Sequence, residues 1–97
     1  MATYIELVSW TDQGVRTAKD TVSRAKAYEE AAAAIGVKVK SVLWTLGEYD
    51  LVITVEAPDD EAVTRAGLLV AQQGNVRTKT LRAFNAEEMT RITSGLK

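Results

Sequence analysis

The chain has 97 residues, of which 46% are hydrophobic and 26% are charged, and its formal net charge is −1. This balance is ordinary for a globular domain, and a net charge so close to zero argues against strong binding to nucleic acid or to an anionic membrane. The chain has no cysteine and no histidine, which excludes thiol catalysis, disulfides and the usual zinc site, so we expect neither a metal nor a cofactor.

Length and the N-terminal sequence set two further expectations. A chain of this size predicts a single domain over residues 1–97 with one hydrophobic core. No apolar run approaches the roughly 20 residues of a membrane span, and MATYIELVSW lacks the basic and apolar segments of a signal peptide. We therefore expect a cytoplasmic protein.

Strand and helix signals alternate along the chain. Gly36 and Gly74 are expected to end two long helices, because glycine readily adopts the left-handed conformation at a helix C-terminus. Asp59 is a suitable N-cap for the second long helix, and Asn85 followed by Glu88 is typical of a capping box. The predicted elements are a strand at Thr3–Trp10, a polar loop at TDQGVRT, a helix from Asp20 to Ile35, strands at Val37–Leu46 and Tyr49–Glu56, a helix opening after Pro58, a strand at Val76–Phe84 and a short helix after Asn85.

This βαββαβ order predicts a ferredoxin-like α+β fold, with a four-stranded antiparallel sheet of order 4-1-3-2 and two helices on one face. The charge distribution agrees, because VKVKS and VRTKTLR place cations on the two edge strands, while the central strand YDLVITV is nearly uncharged. The side of the first long helix that faces the core is expected to consist of Val22, Ala25, Tyr28, Ala32 and Ile35.

The hairpin between the second and third strands assigns residues to the two faces of the sheet. Gly47-Glu48 fits a two-residue type II′ turn, which pairs Trp44 with Leu51 on an apolar face that should contact the helices. The opposite face would carry exposed apolar side chains, and such patches usually mark an interface, most simply with a second copy of the chain. Its expected members are Val39, Leu43 and Val52, joined by Tyr4, Val8 and Trp10 from the first strand.

Tyr49 and Asp50 follow this turn and must point to opposite sides of the sheet, so they are not expected to act as one catalytic pair. Tyr49 is interpreted as a packing aromatic at the end of the sheet. Asp50 is interpreted either as a turn acceptor or arginine partner, or as a residue of the interface between subunits. On the second interpretation, Asp50→Ala would affect assembly or ligand retention more than folding.

Three separated blocks of sequence resemble the GYD domain family: YIELVSWTDQGVR, WTLGEYDLVITVEAPDDEAV and GNVRTKTLRAF. The Gly-x-Tyr-Asp element that gives this family its name is matched by Gly47, Tyr49 and Asp50. The resemblance covers Thr3 to about Phe84. It implies a ferredoxin-like subunit of the dimeric α/β-barrel type, in which two sheets face each other, and it implies no substrate because the family is functionally uncharacterised.

The sequence is compatible with three functions. The first is a homo-oligomer that binds a small ligand in a pocket near the sheet interface. The second is a cofactor-free enzyme of the oxygenase or isomerase kind, in which Asp50, Glu6, Glu56 or a tyrosine would transfer protons if burial raised a carboxyl pKa. The third is a purely structural assembly subunit. The candidate ligand-binding residues are Trp10, Arg16, Asp50, Arg77 and Arg82.

The arginines are candidates because a guanidinium binds a carboxylate or phosphate in bidentate geometry. The alternative for Arg77 and Arg82 is a salt bridge to Glu6, Glu56 or Asp50. An RNA partner is not expected, because the strand YDLVITV lacks the basic and aromatic signature of the ferredoxin-like RNA-binding domains. The expected partner is a second copy of the chain.

Overall fold

Four strands, four helices and one 3₁₀ turn make up the fold, in a computed structural model that describes residues 1–97. None of the helices combines the length and the apolar character needed to cross a membrane. The elements are β1 (Ala2–Trp10), α1 (Asp12–Arg16), the 3₁₀ turn (Ala18–Asp20), α2 (Thr21–Ala34), β2 (Lys38–Trp44), β3 (Leu51–Ala57), α3 (Asp60–Ala71), β4 (Val76–Ala83) and α4 (Ala86–Thr93).

The strands form one sheet in the order β2-β3-β1-β4, and all three neighbouring pairs are antiparallel. This order is the predicted 4-1-3-2 arrangement read from the other edge, so the ferredoxin-like α+β fold is confirmed. The two central strands are β1 and β3. The long helices α2 and α3 cover one face of the sheet.

Helix capping follows the sequence signals closely. The Asp59 carboxylate accepts a hydrogen bond from the Ala62 N–H at 2.9 Å and so caps α3. Asn85 and Glu88 form the predicted capping box at the start of α4, with reciprocal hydrogen bonds of 2.8 and 3.0 Å. Both predicted helix starts are confirmed.

The segment TDQGVRT is not the polar loop that the sequence predicted. It contains the short helix α1, because the Thr11 hydroxyl accepts a hydrogen bond from the Gly14 N–H at 3.1 Å and caps the first turn. The Thr11 hydroxyl also donates to the Gly74 carbonyl oxygen at 2.5 Å, which ties α1 to the end of α3. This tertiary contact could not be inferred from local sequence.

The core lies between the helices and the sheet. Alternate residues of β1 and β3 point into it, and Tyr28 and Ala32 of α2 pack against them. Val22 was predicted to belong to this layer, but it is 65% exposed, because the buried side of α2 is narrower than the full apolar stripe. The buried sheet residues are Tyr4, Glu6, Val8, Leu51, Ile53, Val55, Ala57 and Val76.

The hairpin between β2 and β3 differs from the predicted two-residue turn. The strands end at Trp44 and begin again at Leu51, and Thr45 closes the intervening loop by donating its N–H to the Asp50 carbonyl oxygen at 2.9 Å. Gly47 has a positive φ of 102°, as the sequence predicted for this glycine. The Trp44–Leu51 pairing is confirmed, whereas the type II′ turn is wrong.

The face assignment of four residues was also wrong. A register shift between Val39 and Ser41 pairs Val39 with Val55, which moves Val39 to the helix-covered side of the sheet. Tyr4 and Val8 are only 3% exposed and belong to the core rather than to the open face. Trp10 lies on the same side of β1 and packs against that core. The residues of β1 on the open face are their neighbours Ile5 and Leu7.

Candidate functional site

A cavity of about 190 Å³ lies between the sheet and the two long helices. Its lining is mainly apolar, and it approaches solvent where the exposed residues Gln72 and Gln73 follow α3. A cavity this size holds far more than one water molecule, which needs only about 10–15 Å³. The lining includes Glu6, Val8, Trp10, Arg24, Tyr28, Leu51, Ile53 and Val70.

Glu6 is the unusual member of this lining. It lies in the middle of β1 and is only 1% exposed, among side chains that are otherwise hydrophobic. Its Oε2 accepts a hydrogen bond from the Tyr28 hydroxyl at 2.7 Å. Its Oε1 is buried and receives no hydrogen bond from any group of the chain. Buried carboxylates with an unused oxygen are costly, so this arrangement needs a physical explanation.

Burial raises the pKa of Glu6 above its ordinary value, because the ionised form loses its hydration inside the cavity. The hydrogen bond from Tyr28 opposes this effect by stabilising the carboxylate. The pKa of Tyr28 is raised as well, first by burial and then by the negative charge of Glu6, so the phenol remains a hydrogen-bond donor at physiological pH. The pair is a carboxyl group held by one donor in an apolar cavity.

Trp10 contributes a second unused polar atom to the same cavity. Its indole Nε1 is buried and has no acceptor within the chain. The other tryptophan differs, since the Trp44 Nε1 donates to the Thr21 hydroxyl at 3.0 Å. The cavity therefore contains an unused acceptor on Glu6 and an unused donor on Trp10, both carried by β1.

The face of the sheet opposite the helices forms a second candidate surface, which we call the open face. It has no covering layer, and apolar side chains from all four strands lie on it. Leu43 of β2 is 62% exposed and Leu81 of β4 is 45% exposed. The apolar residues of the open face are Ile5, Leu7, Leu43, Val52 and Leu81.

Comparison with known proteins places this architecture in a family. The model of the GYD domain matches residues 4–93 of the chain. The chain belongs to the GYD domain family. A relative from Thermus thermophilus is 38% identical over 90 residues, which is 92% of this chain and 95% of that protein. The relative is named "Glutamine synthetase and cystathionine beta-lyase binding protein".

The Gly-x-Tyr-Asp element of this GYD domain lies at the end of the sheet. The Asp50 N–H donates to the Val8 carbonyl oxygen at 2.8 Å, and the Asp50 Oδ2 accepts from the Trp10 N–H at 2.8 Å. These two hydrogen bonds attach the hairpin to the last three residues of β1, which include the cavity residue Trp10. Tyr49 is half-buried, and its ring lies 5.7 Å from the Lys79 Nζ.

The five residues predicted to bind a ligand do not converge in the GYD domain. Only Trp10 lines the cavity, while Asp50 uses its carboxylate on the backbone of β1. Arg16 is exposed at the end of α1, and Arg77 is exposed on the open-face side of β4. Their roles in binding a ligand stay predictions.

Arg82 has a different salt bridge from those predicted. Its guanidinium lies 3.6 Å from the Glu88 carboxylate of α4 and stacks over the Phe84 ring at 4.5 Å. Glu6, one of the predicted partners, is instead bound to Tyr28. The predicted pairing of Arg82 with an acid of the sheet was therefore wrong, because α4 folds back close to β4.

Replacing Asp50 with alanine should lower the stability of the GYD domain by about 1–3 kcal/mol, since the partly buried Trp10 N–H would lose its acceptor. Asp50→Asn keeps an acceptor oxygen and should retain most of this stability. The midpoint of urea unfolding measures both effects. If Asp50→Ala kept the wild-type midpoint but changed the subunit number, Asp50 would belong to a subunit interface instead.

Proposed function

We propose that this GYD domain is a protein-binding subunit, in which two copies pair through their open faces and the dimer binds a metabolic enzyme. The single observation that carries the pairing is the set of five apolar side chains that crosses the otherwise polar, uncovered side of the sheet. An antiparallel sheet can expose one face to water, but that face is then usually polar.

The open face supports a second copy of the chain as its occupant. Leu43 and Leu81 lie towards opposite edges of the sheet, with Leu7 and Val52 between them, so the apolar area extends across all four strands. A two-fold axis would place identical apolar surfaces against each other, which is the commonest form of homodimer. The cations Lys38 and Lys79 lie on the two edge strands, β2 and β4, at the rim of the proposed interface, where charged residues are common.

Binding of an enzyme is supported by the relative from Thermus thermophilus, which is named for binding glutamine synthetase and cystathionine beta-lyase. The two chains correspond over nearly their whole lengths, so the proposal transfers a property of a complete protein of the same size. A ligand pocket near the sheet interface, an enzymatic activity, a cytoplasmic location and the absence of nucleic-acid and membrane partners stay predictions.

Enzyme binding is tested by immobilising purified glutamine synthetase and purified cystathionine beta-lyase and measuring the association of the GYD domain by interferometry. We expect saturable binding to at least one of them and none to an unrelated oligomeric enzyme. Saturable binding to neither enzyme would remove the enzyme-binding part of the proposal. Binding to all three would show a non-specific surface and would remove it equally.

Pairing through the open face is tested by Leu43→Glu, with Leu68→Glu as the matched control. Leu43 and Leu68 are 62% and 63% exposed, but Leu68 lies on α3, away from the open face. A carboxylate buried in an interface without a partner costs about 3–5 kcal/mol, so the dimer of Leu43→Glu should dissociate at least about 100-fold more readily. Sedimentation velocity should give a monomer for this variant and a dimer for the control. Equal masses for both variants would contradict the pairing.

A further inference from the structure

Glu6 lies in a setting that its hydrogen bond with Tyr28 explains only in part. It occupies a position between the core residues Tyr4 and Val8, where a leucine or a valine would fit the surrounding apolar layer. Pairing with Tyr28 satisfies one carboxyl oxygen, and the other oxygen has no donor within the chain. Groups that cost stability in the folded state are characteristic of binding and catalytic sites.

We propose that the cavity between the helices and the sheet binds a small neutral molecule with an apolar body, which donates a hydroxyl hydrogen bond to Oε1 of Glu6. The volume of about 190 Å³ limits the occupant to roughly the size of one aromatic ring with a few substituents, because a cavity of about 150 Å³ accommodates benzene. This site lies on the side of the sheet away from the open face and is independent of the pairing proposed above.

The charges around the cavity select a neutral occupant. The Glu6 carboxylate repels an anion, while Arg24 lies in the same lining and repels a cation. Arg24 is fixed there by hydrogen bonds to the Thr17 carbonyl oxygen at 3.0 Å and the Gly14 carbonyl oxygen at 3.2 Å. An ionic ligand would also lose its hydration among apolar walls, at a high free-energy cost.

Hydrogen-bonding capacity selects a hydroxyl group. Oε1 of Glu6 is an acceptor when the carboxyl is ionised, so its partner must carry a donor. The Cα atom of Trp10 lies four residues further along β1, which is roughly 13 Å in an extended strand. The indole group of Trp10 therefore lies in another part of the cavity lining and does not compete with Glu6.

A glycine leaves room beside the proposed acceptor. Gly67 of α3 faces Glu6, and a Cβ at this position would lie 3.6 Å from Oε1 and 3.7 Å from the Thr78 hydroxyl. This is ordinary van der Waals distance, so an alanine fits without displacing backbone but covers the side of Oε1 that the hydroxyl would approach. Alanine is also a better helix former than glycine, so Gly67→Ala should fold at least as well as wild type.

The experiment is a titration followed by amide and indole NMR signals, with phenol and toluene as probes. These molecules have nearly the same size, and only phenol carries a hydroxyl group. We expect saturable shifts of the Trp10 indole signal, with phenol bound at least about tenfold more tightly than toluene, because hydrogen bonds to a charged acceptor are strong. Trp44, which does not line the cavity, supplies the reference indole signal.

Three variants connect the result to the site. Glu6→Met removes the acceptor, so this variant should bind phenol and toluene with similar affinities. Gly67→Ala should lower the affinity for phenol by about tenfold or more. Glu56→Gln, on the opposite side of the sheet, should behave as wild type. Equal binding of the two probes by wild type, or no shift of the Trp10 signal with either probe, would overturn the proposal. Retained preference for phenol in Glu6→Met would overturn it as well.

Discussion

Replacing Glu6 with glutamine is expected to make the folded protein more stable at neutral pH by about 1–3 kcal/mol, because a neutral amide avoids the desolvation cost of an ionised carboxylate in an apolar cavity. For a chain of this length, each kcal/mol raises the melting temperature by about 4–8 °C. Glutamine has the shape of glutamate and its carbonyl oxygen can accept the hydrogen bond from Tyr28. The amide NH2 group then takes the place of Oε1 and is also without a partner, so the variant removes the ionised charge and keeps an unsatisfied polar group.

The gain should depend on pH in a defined direction. The pKa of Glu6 in the folded chain is raised by burial, whereas in the unfolded chain it is the ordinary value of about 4.3. Between these two values the folded chain holds a proton that the unfolded chain has lost. The contribution of protonated Glu6 to the free energy of unfolding is therefore fully present below about pH 4.3. It is lost as the pH rises through the pKa of Glu6 in the folded chain.

Wild type and Glu6→Gln should accordingly have similar stabilities at acid pH and diverge as the pH rises, until Glu6 is ionised in both states. Tyr28, the hydrogen-bond partner of Glu6, has a raised pKa and stays neutral in this range. Thermal unfolding at a series of pH values measures the divergence, with Glu56→Gln as control. A variant less stable than wild type at neutral pH would show that the ionised Glu6 is favourably paired.

Replacing Gly14 with alanine is expected to destabilise the fold by about 3 kcal/mol, because there is no space for a methyl group. Gly14 is buried in α1, and a Cβ there would lie 1.9 Å from the Asn75 carbonyl oxygen. The neighbouring contacts are already close, since the Thr11 N–H donates to that same oxygen at 3.1 Å. A backbone atom cannot rotate aside, so α1 or the segment before β4 must move.

The segment before β4 forms part of the cavity wall, so Gly14→Ala should also change the shape of the cavity. Gln73 and Asn75 line the cavity and are both bound by Gln13 of α1. The urea midpoint should fall strongly in Gly14→Ala and remain unchanged in the control Gly95→Ala, where the nearest atom is the Ile92 carbonyl oxygen at 3.5 Å. An unchanged midpoint in Gly14→Ala would mean that α1 does not pack tightly against this segment.

Sequence patterns predicted the fold well because the signals were local. The caps at Asp59 and Asn85 and the positive φ of Gly36, Gly47 and Gly74 depend on neighbours within a few residues. The strand order followed from the succession of elements and the charge of the edge strands. Element ends differed by only a few residues, as expected where helices and strands fray.

The faces of the sheet were harder to assign, because apolar residues occupy both sides of β1. Tyr4 and Val8 alternate with Ile5 and Leu7, so periodicity alone could not choose the buried set. Glu6 belongs to the same set as Tyr4 and Val8. A buried carboxylate interrupts the apolar pattern that locates a core, so the pattern did not indicate the cavity, although Glu6 had been named as a candidate base.

The register shift at Lys40 was also invisible in the sequence. It inserts one residue between Val39 and Ser41 and reverses the side on which Val39 lies, without any glycine or proline to mark it. Tyr28 was predicted as a core residue and is buried. Its hydrogen bond to Glu6 joins residues that are far apart in the chain, so no local signal predicts it.

Native mass spectrometry of a mixture of unlabelled and ¹⁵N-labelled chains shows whether two copies of the chain pair through their open faces. The two samples are mixed, left to exchange and sprayed without denaturation. Pairing predicts three dimer masses, light, mixed and heavy, in wild type, and only monomer masses in Leu43→Glu at the same concentration. Monomer masses alone in wild type would rule out this pairing, because the apolar side chains of the open face would then have no second copy to cover them.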